Sequence, residues 1–211
     1  MCKGRFPFKL GGVTTARLDA RDRPPAQLVT ARLTLRAWRP EDAPLIREAI
    51  DSSLAHLRPW MPWAVHEPSS IEATAALLER FRDDFAAGRD FHYGIFTRDE
   101  REVLGGTGLH PRIGPGAIEI GYWLRETATR RGYATEAVAR LTRVALEELG
   151  LTRVEIRCDP RNTASAAVPR RLGYRHVETL EANTLTPAGE PRDTMVWAQA
   201  AGRGGEGRPR P

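Results

Sequence analysis

The chain has 211 residues, an apolar fraction of 41% and a formal charge of +5, which fits one globular domain with a real core and excludes a charged, low-complexity chain. The charge sits in the ends: residues 1–27 carry +4 and residues 201–211 carry +2, leaving −1 for the body. That body lacks the basic face of a dedicated nucleic-acid-binding domain.

No apolar run approaches the roughly 18 residues of a membrane span, and the N-terminus has no apolar core of a secretory signal, so a cytoplasmic location without membrane contact is expected. Cys2 in a tail and Cys158 in a buried strand do not suggest a disulfide, and the five histidines show no metal-ligand spacing, so no metal is expected.

Residues 1–27 mix glycine, proline, arginine and aspartate without periodicity and end in Pro24-Pro25. They predict a disordered leader, residues 28–200 a folded domain, and residues 201–211 a disordered tail; the two ends would touch nucleic acid only weakly. Arg32 to Trp38 alternates as a half-buried strand should, with Leu33, Leu35 and Ala37 toward the core. Pro40-Glu41-Asp42 then opens a helix expected to reach His56 or Leu57. Trp60-Met61-Pro62-Trp63 interrupts it with a proline-braced aromatic loop, either a hydrophobic plug or one wall of an acceptor pocket.

Ser69-Ser70-Ile71-Glu72 is a capping-box pattern, followed by Ile71, Ala75, Leu78 and Phe85 on one helical face up to Gly88. Phe91 to Thr97 and Glu102 to His110 predict an antiparallel hairpin, and Ala117 to Leu124 a further strand. A helix follows, with Val138, Leu141, Ala145 and Leu149 facing the sheet and Glu136, Arg140, Arg143 and Glu147 solvated. Arg153 to Cys158, Val177 to Leu180 and Thr194 to Gln199 complete the strands, and no internal repeat is visible. Two parallel strands need a crossover of about a dozen residues or more, which the segment between Leu124 and Val154 supplies.

Between the first of these strands and its helix lies Thr129-Arg130-Arg131-Gly132-Tyr133-Ala134. Successive backbone N–H groups at a helix start, reinforced by the helix dipole, bind anions. Gly132 lets the backbone approach a phosphate, and Arg130 and Arg131 add positive charge; the bland alternative is an ordinary glycine turn.

The run from Arg130 to Ala137, together with Asn162-Thr163-Ala164-Ser165 and Arg171-Leu172-Gly173-Tyr174, resembles the GNAT superfamily of acetyl-CoA-dependent N-acetyltransferases. With Arg58 to Trp63 added, the chain is similar to the branch of ribosomal-protein N-terminal acetyltransferases of RimJ and RimL type, over roughly Leu28 to Ala200. The resemblance implies a mixed, mostly antiparallel α/β sheet around a parallel β-α-β unit, with helices on both faces. It further implies acetyl-CoA held by Trp123, Leu124, Arg130, Arg131, Gly132, Tyr133, Ala134, Thr135 and Asn162, an acceptor site walled by Trp60 and Trp63, and no metal. Two departures stand out: Thr129 occupies a position where the family usually has Gln or Arg, and Pro169 replaces a proton-donating tyrosine of the small-molecule members.

Acetyl transfer from a thioester needs a neutral amine, close orientation and a base. Glu119, flanked by Ile118 and Ile120, is the candidate base, with burial expected to raise its carboxyl pKa; its alternative is an ion pair with a strand arginine. Asn162 is a good helix N-cap, and Ser165 one turn later would donate a hydrogen bond to the departing thiolate. Pro169 is expected to kink that helix or delay its start. The expected activity is acetylation of a primary amine, with a protein or peptide N-terminus, such as a ribosomal protein's, as acceptor. The alternatives are an aminoglycoside-like or polyamine acceptor and a non-catalytic acyl-CoA-binding module, and a homodimer is left open.

Overall fold

The computed structural model describes residues 23–186 and 188–202; most of the expected leader and tail lie outside them. Eight strands form one sheet: β1 (Gln27–Val29), β2 (Leu33–Ala37), β3 (Phe91–Thr97), β4 (Val103–His110), β5 (Ala117–Leu124), β6 (Arg153–Cys158), β7 (Arg175–Leu185) and β8 (Pro191–Ala200). Their spatial order is β1-β2-β3-β4-β5-β6-β8-β7. Every neighbouring pair is antiparallel except β5 and β6, the pair that the long crossover joins, so the expected fold class holds.

Helices α1 (Ala43–Asp51), α2 (Leu54–Leu57) and α3 (Ile71–Ala86) precede β3, whereas α4 (Tyr133–Arg143) and α5 (Thr163–Arg171) flank β6 in sequence. Ile118 and Ile120 of β5 pack with Val138, Leu141 and Ala145 in one core. Trp38, Phe96 and Val103 pack with Ile46 and Leu78 in a second. The sheet is therefore covered on both faces, and β2 is not half-buried as its alternation suggested: Thr34 and Arg36 are as enclosed as Leu33 and Leu35. Arg36 tolerates this because Asp42 (2.7 and 2.8 Å) and Glu100 (2.6 Å) satisfy its guanidinium, which lies over the Phe96 ring.

The first long helix is broken. A 3-10 turn at Pro40–Asp42 leads into α1, and Ser52-Ser53 separates α1 from α2. Ser53 uses its hydroxyl to accept from the Glu126 N–H at 3.0 Å, tying this break to the turn after β5. In α3 the N-cap is Ser70, one place later than the capping-box spacing of Ser69 and Glu72 implies, with its hydroxyl accepting from Ala73 N–H; Ile71 is 50% exposed and leaves the stripe that Leu78 and Phe85 form. Strands β7 and β8 are longer than their sequences indicated, because β7 is an exposed outer strand with almost no apolar alternation to mark it.

Candidate active site

The glycine turn is a preformed anion cradle. Arg130 and Gly132 both take left-handed conformations, with φ of 60° and 79°, which swings neighbouring N–H groups toward one side. Gly132 is also the N-cap of α4 and brings no capping side chain, leaving the first-turn N–H groups of the helix without an internal partner. Arg32 braces the turn from the β1–β2 connection: it donates to Arg131 O at 2.9 Å, pairs with Glu136 at 2.7 Å and lies 4.6 Å over the Tyr133 ring. Glu136 also accepts from the Thr30 hydroxyl and the Arg32 N–H. It is thus a structural anchor rather than a member of a solvated stripe. Thr129 commits its hydroxyl to the chain, donating to Glu126 O at 2.8 Å.

Beside this cradle the sheet opens. Pairing of β5 with β6 runs only from Ala117/Arg153 to Glu119/Glu155, whereas β5 continues to Leu124 and β6 to Cys158. Trp123 and Leu124 lie on the unpaired stretch. Glu119 ends the paired one, and its carboxylate is gripped by Arg112 at 2.5 and 3.0 Å, with Arg157 at 3.9 Å. Burial alone would raise its pKa, but the hydrogen bonds and charge of Arg112, helped by His110 and Arg157, hold it below the usual carboxylate range. The raised carboxyl expected from the sequence is corrected: the arginine partner outweighs desolvation.

Across the opening, Asn162 caps α5 by accepting from Ser165 N–H at 3.0 Å. Pro169 sits inside α5, which nevertheless starts at Thr163 and runs through to Arg171. The reason is Tyr122. Proline cannot donate to the carbonyl four residues earlier, and the Tyr122 hydroxyl donates to that carbonyl, Ser165 O, at 3.0 Å while standing 3.1 Å from Ser165 Oγ. Burial pushes the nearby Cys158 thiol up to about 11, so it stays protonated.

The proline-braced loop divides its work. Trp63 packs edge-on against Trp123 with ring centroids 5.7 Å apart. Trp60 instead lines an open groove of about 420 Å³ with Arg58, Pro59, Arg161, Thr186, Ala188 and Glu190. One side of this groove is therefore the loop and the other the β7–β8 tip, and Arg192 of β8 donates to Trp60 O at 3.4 Å.

Strand pairing also gathers histidines that look scattered in the sequence. His92 and His110 flank Asp90, their ligand-type atoms all within 4.8 Å, a set that could hold a metal ion. Hydrogen bonding already accounts for the convergence: Asp90 Oδ1 meets His110 Nδ1 at 2.6 Å and Oδ2 meets His92 Nε2 at 3.1 Å.

Comparison with known proteins bears directly on this arrangement. Residues 32–175 match the family model described as an acetyltransferase (GNAT) domain. The chain belongs to the GNAT acetyltransferases. It is 27% identical over 172 residues to the Uncharacterized N-acetyltransferase YoaA of Bacillus subtilis (strain 168), covering 81% of this chain and 94% of that protein. With the [Ribosomal protein uS5]-alanine N-acetyltransferase of Escherichia coli (strain K12) it shares 24% over 180 residues, 83% of this chain and 91% of the relative. The structure of Mycobacterium smegmatis RimJ in complex with CoA-disulfide superposes with a TM-score of 0.72 at 27% identity, covering 85% of each chain.

As a GNAT acetyltransferase of RimJ/RimL-like type, the chain is an acyltransferase that uses acetyl-CoA. Arg130, Arg131, Gly132, Tyr133, Ala134 and Thr135 form the turn, and beyond it the strands part. The structure brings Trp123, Leu124, Asn162 and Ser165 around the opening and Trp60 to the groove, while Trp63 goes to the aromatic packing behind it. Arg32, Tyr122 and His110 escaped sequence reading. Only Tyr122 left a trace there, as the missing partner that Pro169 creates.

Proposed function

We propose that this GNAT acetyltransferase acetylates the α-amine of a protein or peptide, with a ribosomal protein as the acceptor class and the cytoplasm as its place of work. The observation that carries this reading is the groove between the Trp60 loop and the β7–β8 tip. Its volume lies within the roughly 300–1,000 Å³ range of ligand sites, it is open at the surface as a slot for a chain end must be, and Trp60 offers an aromatic wall for the first side chain at low entropic cost. Names of relatives such as the uS5-alanine enzyme point the same way.

Each residue then has a task. N–H groups from Arg131 to Thr135 hold pyrophosphate, and Asn162 and the free edge of β5 orient the arm. Glu119, ionised beside Arg112, contributes negative charge that draws the cationic acceptor. Ser165, with Tyr122 behind it, donates a hydrogen bond to the departing thiolate. An α-amine has a pKa of about 7.7–8.0 against about 10.4 for lysine, so near neutrality far more of it carries the attacking lone pair. The test compares kcat/KM for a free-N-terminal peptide, its N-blocked lysine-containing twin, polyamines and aminoglycosides. A clear preference for the first is expected, and a better small amine or lysine substrate sinks the reading. Trp60→Ala should raise the peptide KM and leave the Kd for coenzyme A unchanged.

A further inference from the structure

Three residues of β4, Gly106, Gly108 and His110, lie opposite Trp123, Gly121 and Glu119 of β5 in register, so all six share one face of the sheet. Gly106 and Gly108 are bare because side chains lie across them. A Cβ at Gly106 would come within 2.5 Å of the Trp123 indole nitrogen, and one at Gly108 within 2.7 Å of His110 Nε2. The ring also overhangs Gly121, where a Cβ would be 3.3 Å from Nε2. The His110 imidazole therefore lies on a glycine floor beside Trp123, with Nε2 over the residue of β5 that comes two places after its pairing with β6 ends.

The other ring nitrogen is committed. His110 Nδ1 meets Asp90 Oδ1 at 2.6 Å. Although burial pushes the Asp90 carboxyl upward, hydrogen bonds from His110 and His92 hold it well below the usual range. An ionised carboxylate can only accept, so Nδ1 carries the hydrogen and Nε2 of the neutral ring carries the lone pair. His92 fixes the second Asp90 oxygen while stacked on Phe81 of α3 at 3.8 Å. Nε2 has no hydrogen-bond partner among the described residues.

We propose that His110 Nε2 takes the proton from the attacking amine, with Asp90 as its positioning residue and Glu119 remaining ionised. This rests on the acceptor reading proposed above, the loop that carries Trp60 being joined to this face by the packing of Trp63 on Trp123. The amine nitrogen forms the new bond to the thioester carbonyl carbon, its surplus proton passes to Nε2, and the carbon–sulfur bond breaks with the electron pair leaving on sulfur. The thiolate is then protonated and the imidazolium returns its proton to solvent, so the sum is N-acetyl product and free thiol. Glu119 is a poorer acceptor because protonation would cost it the Arg112 pair. The charged and titratable groups around the imidazole are Asp90 just before β3, His92 of β3, Glu119 of β5, Arg112 after β4 and Arg157 of β6, with Asp84 of α3 acting on His92.

His110→Gln should lower kcat/KM by about 10²–10⁴-fold and abolish the acid limb that remains in its pH profile once the neutral fraction of the acceptor amine is allowed for, with the Kd for coenzyme A unchanged. Asp90→Asn should keep that limb but move it to lower pH. Imidazole nitrogen NMR of the wild-type protein with coenzyme A bound decides the matter even where a variant fails to fold: Nδ1 protonated and Nε2 bare at mildly alkaline pH is expected. A hydrogen on Nε2 instead, or a folded His110→Gln protein with near-normal kcat/KM and an intact acid limb, overturns the proposal. If the wild type binds coenzyme A yet acetylates neither peptide nor small amine, the acceptor reading falls along with it. An active wild type with an indifferent His110→Gln variant brings down this proposal alone.

Discussion

At neutral pH Glu119 is a carboxylate held by Arg112 and Arg157, and Glu119→Gln leaves both cations short of a counter-charge while keeping the shape. Turnover should fall by about tenfold, well short of the ~10²–10⁴ that loss of the base itself costs, with the Kd for acetyl-CoA unchanged in calorimetry. At the opposite end of the site Gly132 has φ of 79°, where an L-residue costs about 1–2 kcal/mol. Gly132→Asp adds a negative charge to that strain, and coenzyme A binding should disappear by calorimetry while the circular dichroism spectrum stays native. Retained affinity in a folded variant would remove the turn from the site.

Helix α5 makes the case at the scale of an element. Its interior proline leaves one carbonyl unserved, and a tyrosine from a neighbouring strand serves it. Tyr122→Phe should destabilise the protein by about 1–3 kcal/mol, the cost of an orphaned buried acceptor. In a Pro169→Ala background, whose restored N–H can reach Ser165 O, the same change should cost about 1 kcal/mol less. Denaturant titration of the four proteins in this cycle checks the coupling, and additive losses would contradict it. From Pro169 alone a kink or a late start follows, and α5 does not start late; nothing near Pro169 in sequence marks Tyr122, 43 positions from Ser165, as the group that stands in for the absent donor. By contrast β3 to β6, α3 and α4 were legible because each carries its own apolar period or cap. The pairs Arg32–Glu136 and Asp90–His110 arise from strand order, which leaves no mark on either local stretch.

For the whole molecule, the buried charges predict how stability follows pH. Asp90 and Glu119 are depressed in the folded state from unfolded values of about 3.9 and 4.3. Their contribution is complete above those values and is lost as pH falls through the folded ones. His92 is also depressed, chiefly by burial, so the unfolded chain takes up that proton first, from about pH 6.5 downward. Melting temperature should therefore decline gently below about pH 6.5 and steeply below about pH 4, and a rise between neutrality and pH 5 would contradict the assignment. The parting of β5 from β6 has a further effect on this landscape. A sheet normally keeps its unprotected backbone at its rims, but this one carries two additional margins at its centre. Deuterium should therefore enter the amides of Tyr122 and Leu124, which face the gap, faster than those of Gly121 and Trp123, which face β4. Coenzyme A should slow that exchange at the middle of the fold first, so that the protein's most labile hydrogens report the arrival of its donor.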